Sequence, residues 1–193
     1  MKGRPTLFEN TELVTKAQSV FWEKGYTATS LSDLLTATGV GSGSFYNSFK
    51  GGKKEIFRAA ILQRREAFNN FRKELERTEH PLELIKDFFR SIAKSDKTSH
   101  LRGCIIANTV VEMTFVDDEL ETEAIRILED VELMFAEAIE REKEIGSLRN
   151  PLPAQVLAKY LITFWCGLNT LRRMYPDKKV LARQIEMQLE VIS

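Results

Sequence analysis

The sequence predicts an all-α protein of about nine helices, and three observations lead to that prediction. Apolar residues recur at spacings of three and four along nearly the whole chain. No segment has the two-residue alternation that is typical of a half-buried strand. Glycine and proline fall between the periodic segments, as expected of residues that end helices, with Gly167 the exception.

The composition is typical of a soluble protein from a reducing compartment. The 193 residues include two cysteines, Cys104 and Cys166, which are too few for a disulfide scaffold. The first twenty residues lack the apolar region of a secretory signal. The most apolar stretch, 156–168, is 13 residues long and contains Lys159, so it is too short to span a bilayer. We therefore expect a cytoplasmic protein without a membrane partner.

The charges of the chain are unevenly distributed although they cancel overall. The net charge is zero, but residues 1–54 carry seven basic and four acidic side chains, which leaves +3 there and −3 in the remainder. Two of the basic residues are Lys2 and Arg4. A basic head on an acidic body suggests one face for an anionic polymer. Unevenly solvated surfaces would give the same numbers.

The first two predicted helices are delimited by local signals. The first helix runs from about Asn10 to Lys24, and Gly25 ends it. Either Thr29 or Ser30 can cap the second helix, which Gly39 ends. Its expected buried residues are Leu31, Leu34 and Leu35.

The third helix follows after a three-residue turn and completes a helix-turn-helix unit. Phe45 and Phe49 are four residues apart and point inward with Val40, which leaves small polar side chains outside. Such a face fits the major groove of DNA, where asparagine is suited to adenine. The outward side chains are Ser42, Ser44, Asn47 and Ser48, flanked by Tyr46 and followed by Lys50, Lys53 and Lys54. A helical corner with a solvated polar face is the alternative.

Two spaced motifs in this region resemble the N-terminal signature of the TetR family of bacterial transcriptional regulators. They are Ala17-x-x-x-Phe21-x-x-x-Gly25-Tyr26-x-x-Thr29-Ser30-Leu31 and Gly39-Val40-x-x-Gly43-Ser44-Phe45-Tyr46-x-x-Phe49. The resemblance implies a homodimeric repressor whose C-terminal domain binds a small molecule that releases double-stranded operator DNA. It also implies that Ser42, Ser44 and Asn47 read bases, and that Thr29, Tyr46 and either Lys53 or Lys54 hold phosphates.

The sequence departs from the family pattern at two places. Gly41 occupies a helix-capping position where the family usually has serine or threonine, so the third helix lacks a side-chain cap. One additional residue separates Phe49 from Lys53, and the pair Gly51 and Gly52 can absorb it as a bulged turn.

The chain after the helix-turn-helix domain of residues 1–52 reads as an effector-binding and dimerisation domain of residues 53–193. A long helix runs to about Arg77, and the next begins at Pro81. A polar loop, 97–102, leads to a helix with one buried stripe, formed by Cys104, Ala107, Val111 and Phe115. Further helices are predicted at about 117–144, 156–175 and 177–192.

The last two helices carry a wide apolar band, which we interpret as the dimer interface, because a helix-turn-helix protein generally uses two copies to reach two half-sites. The band contains Leu157, Leu161, Phe164, Leu168, Leu171, Leu181 and Ile185. An intramolecular core would show the same pattern.

Polar and soft side chains on mostly apolar helices indicate a pocket for an unknown small-molecule effector, although each of them alone could be a satisfied core group. The candidates are Phe89, Cys104, Asn108, Glu112, Met113, Trp165 and Asn169. Cys104 follows Arg102 at a helix N-terminus, which favours the thiolate and suggests an electrophile sensor. The alternative is that Cys104 is a small buried hydrophobe, and Cys166 is expected to be inert.

Other functional classes find little support. His80 and His100 lie in predicted loops, without metal-ligand or catalytic spacing, so neither an enzyme nor a metal or cofactor is expected. The glycines at 39–43 and 51–52 match no nucleotide-binding motif. A helical protein-interaction adaptor with an idle DNA-binding head is the alternative, and an enzyme is a more remote one.

Overall fold

A computed structural model describes residues 7–193, in which the chain forms ten α-helices and no strand. The all-α architecture is therefore confirmed, while Lys2 and Arg4 of the basic head lie outside the described residues. The helices are α1 (Leu7–Lys24), α2 (Leu31–Thr38), α3 (Ser42–Ser48), α4 (Gly52–Arg77), α5 (Pro81–Lys94), α6 (Lys97–Arg102), α7 (Ile105–Met113), α8 (Asp118–Glu144), α9 (Ala154–Leu171) and α10 (Lys178–Leu189). Two 3-10 turns, Arg172–Met174 and Glu190–Ile192, follow α9 and α10. No helix within 7–193 has the length and apolarity needed to cross a membrane.

The described chain divides into two compact units, each built from more than one segment. The first unit contains residues 7–67 and 105–124, and the second contains 68–104 and 125–193. Helices α4 and α8 contribute to both units. The functional boundary after residue 52 stays a prediction, because compactness groups helices without regard to what they bind.

The core of the first unit holds the helix-turn-helix in place. Phe21 of α1 meets Phe57 of α4 edge to face, with ring centroids 4.8 Å apart. Tyr26, in the turn after α1, lies at the same distance from Phe57. Leu34 of α2 and Phe45 of α3 are fully buried. One large buried side chain therefore anchors each of these short helices. Burying such a side chain stabilises the folded state by about 2 kcal/mol.

The core of the second unit is rich in aromatic rings. Phe88 of α5 stacks on Trp165 of α9 at 4.7 Å, and Phe89 stacks on Phe164 at 5.1 Å. Phe89 also approaches Phe135 of α8 at 6.1 Å. Helices α5, α8 and α9 therefore meet around one aromatic cluster, since such offset and tilted pairs stabilise beyond their buried area.

The predicted polar loop at 97–102 is a short helix instead, α6. Asp96 caps it, because its carboxylate accepts hydrogen bonds from the backbone N–H and the hydroxyl of Ser99 at 3.0 and 2.8 Å. A capping aspartate three residues before a serine could have indicated this helix in the sequence.

The predicted buried stripe of α7 is wrong at its C-terminal end. Val111 is 79% exposed and Phe115, which follows the helix with a φ of 65°, is 99% exposed. Thr109 is buried in their place, because its hydroxyl donates to the carbonyl of Ile105 at 2.8 Å.

Thr38 of α2 is buried in the same way, and Leu31 and Leu35 of that helix are half-buried. Threonine bonded to the preceding turn thus replaced the expected apolar residue.

The apolar band of α9 and α10 is mostly core, which corrects the predicted dimer interface. Five of its seven residues are at most 5% exposed within the single chain, so a partner cannot reach them. They are Leu157, Leu161, Leu168, Leu181 and Ile185. Leu171 is 48% exposed and Phe164 is half-buried. The outer faces of the two helices carry other exposed apolar side chains, Val156, Val180 and Met187.

Candidate DNA-binding interface

The turn between α2 and α3 is fixed by caps at both ends of α2. The Ser30 hydroxyl accepts the backbone N–H of Asp33 at 3.1 Å, and the Asp33 carboxylate accepts the backbone N–H of Ser30 at 2.9 Å. This reciprocal pair is a capping box, which makes Ser30 rather than Thr29 the cap of α2. Gly39 ends α2 in the left-handed conformation, and Gly41 precedes α3 without a side-chain cap, as predicted.

The two faces of α3 differ as the sequence predicts. Phe45 is fully buried and Phe49 is 4% exposed, with their rings 5.6 Å apart. The four predicted contact residues of α3 lie on the exposed side: Ser42, Ser44, Tyr46 and Asn47. A surface of short polar side chains on a rigidly anchored helix is what the major groove admits.

Lys53 and Lys54 have different environments at the start of α4. The ammonium group of Lys53 donates to the backbone carbonyls of Tyr26 and Thr29 at 3.0 and 2.9 Å, and lies 4.3 Å from the centre of the Tyr26 ring. Lys54 pairs with the carboxylates of Asp117 and Glu119, both at 2.8 Å. Two carboxylates therefore balance the charge of Lys54, whereas the ammonium group of Lys53 retains one N–H that donates to neither carbonyl.

Thr29 is a structural residue of the turn before α2. Its side chain is 1% exposed, and its hydroxyl donates to the carbonyl of Gly25 at 2.6 Å. A hydroxyl has one proton, so this group cannot also donate to a phosphate oxygen. The structure thus corrects the expected phosphate contact of the Thr29 side chain.

Glu112 of α7, predicted to line a ligand pocket, holds the end of α1 instead. Its carboxylate accepts the backbone N–H groups of Tyr26 and Thr27 at 2.9 and 2.7 Å. Gly25, with a φ of +81°, has no side chain there, and a Cβ would lie 2.9 Å from a Glu112 oxygen. Nothing in the sequence connects positions 86 residues apart.

The other predicted ligand residues divide between the two units. Met113 is fully buried and Asn108 is exposed, both in the first unit. The remaining four lie in the second unit, each at most 5% exposed: Phe89, Cys104, Trp165 and Asn169. The structure therefore brings only these four into one compact unit.

Cys104 interacts electrostatically with Arg172, a cation that the sequence did not suggest. Cys104 directly precedes α7, as its position in the sequence implies, and its side chain is 3% exposed. Burial and, to a smaller extent, the charge of Arg173 lower the pKa of Arg172, whereas the interaction with Cys104 raises it. Burial, with a smaller contribution from Cys104, raises the pKa of the Cys166 thiol to about 11. Arg172, which is coupled to Cys104, stands 68 positions away in the sequence.

Known proteins are similar to this chain in both sequence and fold. Residues 13–60 match the family model of bacterial regulatory proteins of the tetR family, and residues 81–187 match the tetracyclin repressor-like C-terminal domain. The HTH-type transcriptional repressor DhaR of Mycobacterium sp. (strain GP1) is 34% identical over 93% of this chain and 90% of its own.

Solved structures show the same arrangement of helices. The reduced form of E. coli NemR, 19% identical, superposes with a TM-score of 0.83 over 96% of this chain and 97% of that one. A cysteine mutant of the TetR family regulator CifR, complexed with 26-bp operator DNA, is 25% identical with a TM-score of 0.78, over 98% and 100% of the chains. With both domains matched, this chain belongs to the TetR family and is a DNA-binding transcriptional regulator.

Proposed function

We propose that the protein is a homodimeric repressor whose α3 reads the bases of an operator. The single observation that carries this proposal is the polar face of α3, where Ser42, Ser44 and Asn47 are exposed above a buried Phe45. Asparagine can bond the edge of adenine bidentately, and small neighbours let the helix approach closely. The repressor DhaR, similar over most of its length, supports this direction of control. A protein bound to chromosomal DNA works in the cytoplasm.

Lys53 is the better candidate for the phosphate contact that the sequence left open. Among the described side chains no carboxylate pairs with it, and its ammonium group bonds the turn before α2, whereas Lys54 is already paired with two acids. Tyr46, exposed at 46%, supplies a hydroxyl donor beside α3. Phosphate contacts of this kind position the helix without adding sequence preference.

A second copy of the chain forms the dimer through the outer faces of α9 and α10. Those faces expose Val156, Leu171, Val180 and Met187 between 46% and 57%. Exposed apolar side chains at helix spacing are typical of a homodimer interface. Two copies would then present two α3 helices to half-sites about 34–36 Å apart.

The effector acts on the second unit, and Cys104 makes an electrophile one candidate. Cys104 interacts electrostatically with Arg172, and both side chains are buried, at 3% and 4% exposed. A positive neighbour stabilises the thiolate, the form that attacks an electrophile. Native alkylation tests this: Cys104 should react with iodoacetamide faster than Cys166 at pH 8, and Arg172→Gln should slow only Cys104. Equal rates for the two thiols would leave a non-covalent effector.

Mobility-shift titration with the DNA that flanks the gene tests the repressor proposal. Asn47→Ala should weaken operator binding by about 1–3 kcal/mol and leave random DNA nearly unaffected. Asn69→Ala, an exposed asparagine on α4, is the matched control. Equal losses on operator and random DNA would remove Asn47 as a base reader. A chain that binds no DNA would favour the adaptor or enzyme alternatives.

A further inference from the structure

A pocket of about 630 Å³ lies between α5 and α10, in the second unit. Its floor is formed by Ala93 and Ala182, next to the fully buried Ile185. Two alanines on facing helices leave space that larger side chains would fill, so the pocket follows from the sequence of these two helices. The volume is within the range of small-molecule sites, about 300–1,000 Å³.

One end of the pocket carries uncompensated positive charge. Lys94, Lys178 and Lys179 line it, and in the described part of the chain none of the three pairs with a carboxylate. Lys178 reaches only the carbonyl of Lys94, at 3.4 Å. The acid beside them, Asp177, accepts the backbone N–H of Lys179 at 2.8 Å as the cap of α10. The first turn of α10 adds the positive end of a helix dipole.

At the opposite end of the pocket, the lining charges of Arg90 and Glu186 are paired with each other. Arg90 holds Glu186 through two hydrogen bonds, at 2.8 and 3.1 Å, and bonds Asp87 at 3.1 Å. These contacts lower the pKa of Glu186, chiefly through the hydrogen bond from Arg90. The pair thus closes one end as a fixed wall, and the free cationic groups all lie at the other end.

We propose that this pocket binds a small amphipathic carboxylate. Its hydrocarbon body lies on Ala93 and Ala182, and its carboxylate lies among the three lysines. An apolar floor with cations at one end selects this class over neutral alcohols and over amines. The hydrocarbon chains of all three classes can lie on the floor, but only a carboxylate is also attracted by the lysines. The site goes beyond the proposed repressor function, since it concerns binding to the second unit whether or not DNA is released.

Isothermal titration of the full chain with octanoate, 1-octanol and octylammonium tests the charge selection. Octanoate should bind saturably with one site per chain, and about tenfold more tightly than the other two probes, which share its chain length. Raising the NaCl concentration should weaken the binding of octanoate and leave the binding of 1-octanol unchanged. Equal affinity for octanoate and 1-octanol, or no saturable octanoate binding, overturns the proposal.

Variants locate the site. Lys178→Gln with Lys179→Gln should weaken octanoate about fivefold, in line with two exposed ionic contacts. Lys73→Gln with Arg77→Gln removes the same charge from exposed positions on α4 and should leave octanoate binding unchanged. Ala182→Phe should fill the floor and abolish binding, with helix content checked by circular dichroism. Equal weakening by both double variants would indicate a non-specific charge effect and refute the site.

Discussion

Replacing Glu112 with alanine should loosen the turn that joins α1 to α2. The wild-type carboxylate accepts the backbone N–H groups of Tyr26 and Thr27 at 2.9 and 2.7 Å. Alanine removes both acceptors and leaves an opening beside Gly25, where the carboxylate now sits.

The magnitude follows from how exposed the two amides are. A hydrogen bond to a charged acceptor contributes about 1.5–3 kcal/mol. The Tyr26 bond is partly buried and should count fully, while water can replace the exposed Thr27 bond. Glu112→Ala should therefore lower the free energy of unfolding by about 2–3 kcal/mol, and Glu112→Gln, which keeps one amide oxygen, by about 1 kcal/mol.

Urea unfolding followed by circular dichroism measures the loss, and amide hydrogen exchange locates it. Exchange should accelerate at Tyr26 and Thr27 in the alanine variant. Glu140→Ala, on an exposed position of α8, is the control and should change stability by less than about 0.5 kcal/mol. If Glu112→Ala were as stable as this control, with unchanged exchange at both amides, the carboxylate would not support the turn.

Three further predictions concern the same unit and the two thiols. Gly25→Ala should destabilise by more than the roughly 1 kcal/mol of a left-handed alanine, since its Cβ meets Glu112 at 2.9 Å, and adding Glu112→Ala should cost less than the sum of both in thermal unfolding. The hydrogen bonds from Lys54 lower the pKa values of Asp117 and Glu119, so their stabilisation is present above the ordinary carboxylate pKa and is lost as the pH falls through the lower folded values; urea titrations should show a smaller acid loss in Lys54→Met than in wild type. Because the pKa of Cys166 is about 11, its alkylation should be slow at pH 8 and rise until about pH 11; a plateau near pH 9 in Cys104→Ser would contradict this.

The helix-turn-helix could be predicted almost residue by residue because its signals are local. The capping box of Ser30 and Asp33, the end of α2 at Gly39 and the inward pair Phe45 and Phe49 all depend on residues within four positions of one another. Local hydrogen bonds and helix periodicity are legible in a sequence, and the structure confirms them.

What the sequence did not predict depends on residues far apart in the chain. The pairing of Glu112 with Tyr26 spans 86 positions, and no pattern of residue types distinguishes it from a carboxylate facing a ligand. The band on α9 and α10 was correctly recognised as apolar, but periodicity cannot tell whether Leu161 faces its own core or a second chain. The buried face of α7 was predicted incorrectly because Thr109 was not expected on it. A threonine whose hydroxyl bonds within its own helix can be buried like an apolar residue.

The pairing of Lys54 with its own acids affects how many ions DNA binding should release. Asp117 and Glu119 already occupy this lysine, so a phosphate that engages it must displace them, and the protein exchanges one counter-charge for another. Counting basic side chains near the duplex would therefore overstate the salt slope of the affinity, which scales with phosphates neutralised at about 0.9 each. High salt loosens the exposed pairs of Lys54 as well, which frees its charge under the conditions that weaken DNA binding overall. Asp117 and Glu119 thus compete with DNA phosphates for Lys54, and this competition flattens the ionic-strength response of this regulator.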